Sequence, residues 1–276
     1  MSTAHPLNIW RRRALAFLSS AAAAVLVSGC STSGGPDAAG LATRAASSSN
    51  AAARPGLGTK FGETRDSRVR NTTFTRATPT RPLTLATVQY NDADGARAQG
   101  WSDGTRGFVA LRDLADLGFQ DSNGKFYPLD ARSRLFSGTK YGLIGRVGER
   151  YLIVLRNQSD ARLEFVASVD GLDVIDGRPA ALNKPGYVIA PGQTMRIDGF
   201  RRSLAQVAAF RFSSVKDSYA QRKYGDATNV GVIGVAVFSE QGTDPKPRLR
   251  QEAKRRQQAS PFPGNSAGGF AEPPPR

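Results

Sequence analysis

The sequence predicts a mainly β protein, an antiparallel β-sandwich or a jelly-roll-like barrel, with one or two short helices and disordered segments at both ends. Three observations carry that prediction. Leu163, Phe165, Ala167 and Val169 alternate with Glu164, Ser168 and Asp170, the period-two pattern of a strand with one face buried. Residues 151–155 and 230–238 are apolar runs rich in β-branched side chains, too short for comfortable helices and suited to central strands. Turn chemistry recurs at Asn123-Gly124, Asp176-Gly177, Pro185-Gly186, Pro191-Gly192 and Asp198-Gly199. Many strands at short intervals with few helices between them leave a sandwich or a barrel as the economical architecture.

Taken in chain order, strands are expected at residues 83–88, 140–146, 151–155, 163–169, 187–190, 193–198, 208–212 and 230–238. Gly231 and Gly234 in the last run point to a bulge or a close approach of neighbouring backbone. Two helices are expected. Residues 109–117 bring Leu111, Leu114 and Leu117 onto neighbouring turns before Gly118, and residues 216–223 form a shorter helix that ends near Gly225.

The ends have a different composition. Residues 31–80 are rich in Ala, Ser, Gly, Pro and Arg with no sustained period and read as a tether. Asp244-Pro245-Lys246-Pro247 stops the last strand, and the Arg/Lys/Gln-rich run after it leads to Pro273-Pro274-Pro275. Residues 248–257 have helix-forming composition, but flanking prolines and the lack of an apolar face favour disorder. The expected division is therefore residues 1–29 as a leader, 30–80 as a tether, 81–243 as one folded domain and 244–276 as a tail. The formal charge of +15 divides in the same way: three positive charges in the leader and +4 in each of the tether, the domain and the tail. Basicity spread over flexible ends suits anionic headgroups, lipopolysaccharide or cell-wall polymer, and argues against a nucleic-acid partner.

The leader has its own signature. Arg11, Arg12 and Arg13 precede an apolar stretch from Ala14 to Val27, too short to span a bilayer and closed by small residues. Val27-Ser28-Gly29-Cys30 then resembles the lipobox of bacterial lipoproteins, and Cys30 is the only cysteine of the chain. That resemblance implies cleavage before Cys30, acylation of its sulfur and new amino end, and a mature protein anchored to a membrane by acyl chains. Ser31 stands where an Asp favours retention at the inner membrane in that family, so the resemblance implies the outer membrane, with the domain facing the periplasm or the cell surface. Residues 150–240 also resemble a domain of bacterial envelope and secreted proteins to which no activity attaches. The likeness is carried by Val169-Asp-Gly-Leu-Asp-Val-Ile-Asp-Gly177, Pro191-Gly-Gln193, Ile197-Asp-Gly-Phe200, Ala208-Ala-Phe-Arg-Phe212 and Asn229-Val-Gly-Val-Ile-Gly-Val-Ala236. It implies a shared β fold and no chemistry.

Catalytic motifs are present in letter and absent in context. Gly100-Trp-Ser-Asp-Gly104 fits the G-x-S-x-G turn, but the only histidine is His5 in the leader, so no imidazole remains to take the serine proton. Ser213-Ser-Val-Lys216 fits S-x-x-K without the companion triplets that such enzymes need. Loss of His5 and acylation of Cys30 also remove the nitrogen and sulfur ligands of a soft-metal site. Calcium takes oxygen, and Asp170, Asp173 and Asp176, three apart in a turn-rich stretch, are its candidate ligands, although the closing glutamate of a twelve-residue loop is missing. Trp101, in a Gly/Asp-rich loop, and Phe200, Arg201 and Arg202, in a turn between strands, are the candidate binding residues: an exposed indole for stacking, and two guanidinium groups beside an aromatic for an anionic partner. The sequence thus favours a non-enzymatic, lipid-anchored binding module without cofactor, with an envelope protein as partner. The alternatives are peptidoglycan or lipopolysaccharide binding, and a hydrolase that works without histidine.

Overall fold

The computed structural model describes residues 54–102, 104–134 and 138–261. The elements run β1 (Leu57–Asp66), β2 (Thr84–Asn91), α1 (Ala93–Ala98), β3 (Phe108–Leu111), β4 (Ala115–Asp121), β5 (Leu129–Arg134), β6 (Gly138–Ile144), β7 (Tyr151–Asn157), β8 (Leu163–Val169), β9 (Leu172–Asp173), β10 (Tyr187–Ile189), β11 (Thr194–Ile197), β12 (Gly199–Arg201), β13 (Gln206–Ser214), α2 (Tyr219–Tyr224), β14 (Val232–Ser239) and α3 (Arg248–Gln258). The architecture is mainly β and sandwich-like, as the sequence predicts. One layer is a sheet in the order β10-β8-β14-β2-β6-β5, with β9 paired to β8. Its β2–β6 pair is parallel, so the sheet is mixed rather than wholly antiparallel. Facing it are a four-stranded sheet, β11-β7-β4-β3, and a three-stranded one, β1-β13-β12. These two join where Gly148 N–H donates to the Phe212 carbonyl and Phe212 N–H donates to that of Glu149. The chain crosses between them at Asp198, the single residue separating β11 from β12.

Apolar residues from all three sheets share one core. At its centre Tyr151 stacks on Phe210 at 5.3 Å and on Phe212 at 4.4 Å between ring centroids, and Phe200 meets Phe210 edge-on at 5.1 Å. Strand β8 is buried on both faces, because Val166 joins Ala236 and Phe238 in a second small core on the outer side of the large sheet. Glu164, expected on a solvated face, is consequently buried as well.

Four expectations are corrected. Residues 109–117 form the β3–β4 hairpin rather than a helix: Val109 and Leu111 face the core from one strand, Ala115, Leu117 and Phe119 from the other, and Arg112 and Asp113 make the turn at φ 53° and 59°. The tether does not run to residue 80. Strand β1 pairs with β13 from Leu57 to Asp66, and the segment beyond it is held by Ser67 and Val69 N–H donating to Ala205 and Leu204, and by Ala77 N–H donating to Ser239. Asp198-Gly199 is not a turn, since Gly199 opens β12. At the other end residues 248–258 are helical, because the chain before them is tied down: Lys246 N–H donates to the Asp160 carboxylate at 2.8 Å and Arg248 N–H to the Gln158 carbonyl at 2.9 Å. The short helix near residue 220 does form, capped by the Ser218 hydroxyl accepting from Gln221 N–H and closed by Gly225 at φ 68°.

Candidate binding surface

Strand β1 contributes to an exposed apolar cleft, and it is held to the core by Thr59. Thr59 Oγ1 lies 2.8 Å from the Tyr90 hydroxyl and 2.7 Å from that of Tyr151. Asp170, left-handed at φ 55° after β8, accepts from Thr59 N–H at 2.8 Å, Gly231 N–H at 2.9 Å and the Tyr90 hydroxyl at 2.5 Å. Burial lifts the Asp170 carboxyl to about 6 in spite of those donors, and burial beside Asp170 raises both tyrosines well above their ordinary value. Thr59, Tyr90, Tyr151 and Asp170 are all sealed from water, so this network braces β1 and offers no reactive group to a substrate.

Beyond Thr59 the next inward-facing position of β1, Phe61, reaches the surface. Its ring stacks on Phe200 at 6.4 Å and tilts against Tyr219 of α2 at 4.9 Å, yet it remains 41 % exposed. Val147, in the tight turn before β7, is 67 % exposed. Phe61, Val147 and Tyr219 line a cleft of about 440 Å³ with Ser213 and Ser214 on its floor and Lys60, Asp217 and Arg222 around it. Arg222 and Asp217 stand 3.6 Å apart on the exposed side, and the Ser214 hydroxyl donates to Asp217 at 2.7 Å. The cleft thus sets an exposed aromatic and an exposed β-branched side chain beside a polar rim.

The residues singled out from sequence fall elsewhere. Cys30 and the leader lie outside the described residues, as does the end of the tail after residue 261. Trp101 is 7 % exposed, its ring packed against Gly142, which rules out a stacking platform at that position. Phe200 is 1 % exposed, because β12 carries it into the core beneath Phe61. Arg201 lies in β12 rather than in a turn, and its guanidinium is spent on the Tyr187 hydroxyl, the Ser67 carbonyl and the Ser67 hydroxyl. Arg202 donates to the Thr64 hydroxyl. The three aspartates of the calcium reading do not converge: Asp170 serves the buried network, Asp173 accepts from Ile175 and Asp176 N–H, and Asp176 pairs with Lys184 at 2.8 Å. Among the described residues no three His, Cys, Asp or Glu side chains gather to hold a metal. Ser102 donates to Asp130 at 2.9 Å in a loop, and Ser213 is buried in β13 with its hydroxyl on the Ser214 carbonyl while Lys216 is exposed beyond the strand end.

Sequence reasoning missed Phe61, Val147 and Tyr219. Phe61 left one signal, a lone large aromatic in a polar stretch; Val147 left none, since its partners are remote in sequence. Among the described residues no helix is long and apolar enough to cross a membrane. Comparison with family models, with curated proteins and with solved structures finds no match to this chain.

Proposed function

We propose that this protein is an outer-membrane lipoprotein, acylated on Cys30, whose β-sandwich is a non-catalytic module that docks an envelope protein through the cleft between β1, α2 and the turn before β7. The observation that supports the reading is the exposure of Phe61 and Val147 on one cleft. Twenty-seven residues lead from Cys30 to Leu57, a chain that reaches at most about 90 Å whatever its conformation. That span lets the cleft work at a distance from the bilayer.

The anchor is tested by metabolic labelling with palmitate, which enters the wild-type chain and not Cys30→Ser; labelling of neither would refute it. Docking is tested by placing a photo-crosslinking residue at Val147 in growing cells. One discrete adduct is expected, abolished by Phe61→Asp and absent when the probe sits at Leu204, which is 54 % exposed and does not line the cleft. Equal adducts from both positions would sink the reading. Binding of anionic polymer is the second reading, favoured by helix α3, which carries Arg248, Arg250, Lys254, Arg255 and Arg256 against Glu252. It predicts sedimentation with sacculi or lipopolysaccharide that collapses between low and physiological salt and needs residues 248–258.

A further inference from the structure

We propose that the tip of the β12–β13 hairpin, with the end of β1 strapped beside it, docks on an anionic phospholipid surface: Leu204 enters the interface, and Arg65, Arg68, Arg70 and Arg202 meet the headgroup phosphates. Residues 64–70 and 201–206 hold five arginines and one acid, Asp66. The two segments run side by side. Arg65 pairs with Val207 and Asp66 with Gln206, and Ser67 and Val69 N–H donate to the Ala205 and Leu204 carbonyls at 2.8 and 2.9 Å. Arg201 is the clasp, its guanidinium donating to the Ser67 and Ser203 carbonyls at 2.7 and 3.2 Å. Ser203 closes the turn, its hydroxyl accepting from Ala205 and Gln206 N–H at 3.2 and 3.1 Å. Leu204 is therefore fixed in place, with 54 % of its surface in water.

The other four arginines are exposed. Among the described residues Arg65, Arg68 and Arg70 enter no ion pair, and Arg202 donates to the Thr64 hydroxyl. Glu63, the acid just before them, is held by Arg211 at 2.7 Å. Four guanidinium groups against the one carboxylate of Asp66 leave an excess of positive charge that selects an anionic partner. A single exposed leucine is ordinary on a protein surface. A leucine pinned at the summit of a turn, where Gly, Asn, Asp and Ser dominate, beside uncompensated guanidinium groups is a different case. Residues 202–206 are all exposed, so the tip projects and has no walls to enclose a small ligand. A phospholipid surface matches it in layers, with phosphates outside and acyl chains beneath. Guanidinium groups pair with phosphate oxygens bidentately, each basic residue close to an anionic leaflet adds to the attraction, and the leucine reaches the acyl boundary.

The test uses a full-length Cys30→Ser, Leu204→Cys chain, which carries a single thiol and takes an environment-sensitive fluorophore at position 204. It is titrated with vesicles of phosphatidylethanolamine and phosphatidylglycerol and with vesicles of phosphatidylcholine, each also prepared with a nitroxide lipid as quencher. The readout is local to position 204, so attachment through the leader does not produce it. With the anionic vesicles a saturable blue shift and loss of emission to the nitroxide are expected, both reversed by salt well above physiological strength. Phosphatidylcholine should give neither. Arg68→Glu/Arg70→Glu should need at least about tenfold more anionic lipid for half the shift, while its thermal midpoint stays within a few degrees of the parent because both side chains are exposed. The same fluorophore on Cys30→Ser, Val147→Cys should stay in water, since the neighbouring Gly148 is bonded to Phe212, about 20 Å along β13 from Gln206. Absence of a shift with anionic vesicles, an equal shift with phosphatidylcholine or at position 147, or an unchanged titration by the folded double variant would overturn the surface. The fluorophore at position 204 reports lipid and the crosslink at Val147 reports protein, so this surface and the cleft beside Phe61 stand or fall separately.

Discussion

Replacing Arg76 by alanine is expected to destabilise the protein by about 3–5 kcal/mol, a large share of the total stability of a domain this size. Arg76 lies in the segment between β1 and β2, and its guanidinium donates to Glu164 at 2.6 Å, to Pro79 at 2.8 Å and to Leu182 and Lys184 at 2.5 Å each. It also sits 3.9 Å from the Phe238 ring centroid. The Arg76 and Glu164 side chains are only 10 % and 6 % exposed, so solvent screening does not reduce the pair to the fraction of a kcal/mol typical of surface ion pairs. Removing the arginine leaves the Glu164 carboxylate buried with one remaining donor, Gly186 N–H at 2.6 Å. The uncompensated charge dominates the cost; the freed carbonyls of Pro79 and Leu182 lie at exposed positions, where water replaces the arginine. Arg76→Ala/Glu164→Leu should therefore recover at least half of the loss, since exchanging both partners for apolar groups removes the stranded charge. Equilibrium urea unfolding followed by far-ultraviolet circular dichroism measures both effects, with limited proteolysis of residues 67–82 as a local readout. A loss below about 1 kcal/mol for Arg76→Ala, or a double variant weaker than the single, would refute the assignment of a buried pair.

Other changes have equally definite outcomes. Asp170 is lifted from 3.8 to about 6 by burial, so the native state binds its proton more tightly than the unfolded chain. Its contribution is then most favourable below about pH 4 and declines by about 3 kcal/mol as pH rises through about 6. Asp170→Asn should flatten that dependence in unfolding curves taken from pH 4 to 7; a variant that loses stability in parallel with the parent would show that the three donors outweigh burial. Thr59→Val leaves the buried Tyr151 hydroxyl without its partner at 2.7 Å and should cost about 1–3 kcal/mol by urea midpoint, whereas Thr59→Ser should retain most of the bond. Gly225→Ala forces a β-carbon into the left-handed region at φ 68° and should lower stability by about 1 kcal/mol in thermal unfolding; no change would mean that α2 frays without consequence.

The strands of the two central layers were legible because their side chains obey a local rule. Residues 151–155, 163–169 and 230–238 declare themselves by period and by β-branched content, and Gly231 and Gly234 by the close approach they allow: Gly231 N–H meets Asp170, and a β-carbon on Gly234 would lie 2.8 Å from Ser168 Oγ. Strand β1 was illegible for the converse reason. Leu57 and Phe61 are its only large apolar residues, and it is fixed by main-chain pairing and by a carboxylate 111 positions away. The β3–β4 hairpin misled because Leu111, Leu114 and Leu117 fit a helical stripe and a pair of strands equally well, and because Arg112 and Asp113 occupy turn positions where glycine would have announced itself. Asp92 did carry a readable cap for α1, its carboxylate accepting from Gly95 N–H at 2.7 Å, but so short a helix leaves no period to detect. The cleft beside Phe61 is assembled from segments far apart in the chain, and spacing along the sequence holds no trace of it. Trp101 stands in a Gly/Asp-rich loop that suggests exposure, yet its ring packs against Gly142 and is buried.

The placement of β1 also sets how the molecule bears mechanical load. Any pull transmitted through residues before Pro55 arrives first at Arg54, clamped to Ala227 and Val230, and then at the end of a strand whose rungs to β13 extend from Leu57 to Asp66. A tug along the strand axis strains those rungs together rather than one after another, and the Thr59–Asp170 bond lies at the loaded end as a rivet. A chain rooted in this way can bear load at that end without surrendering the rest of its fold.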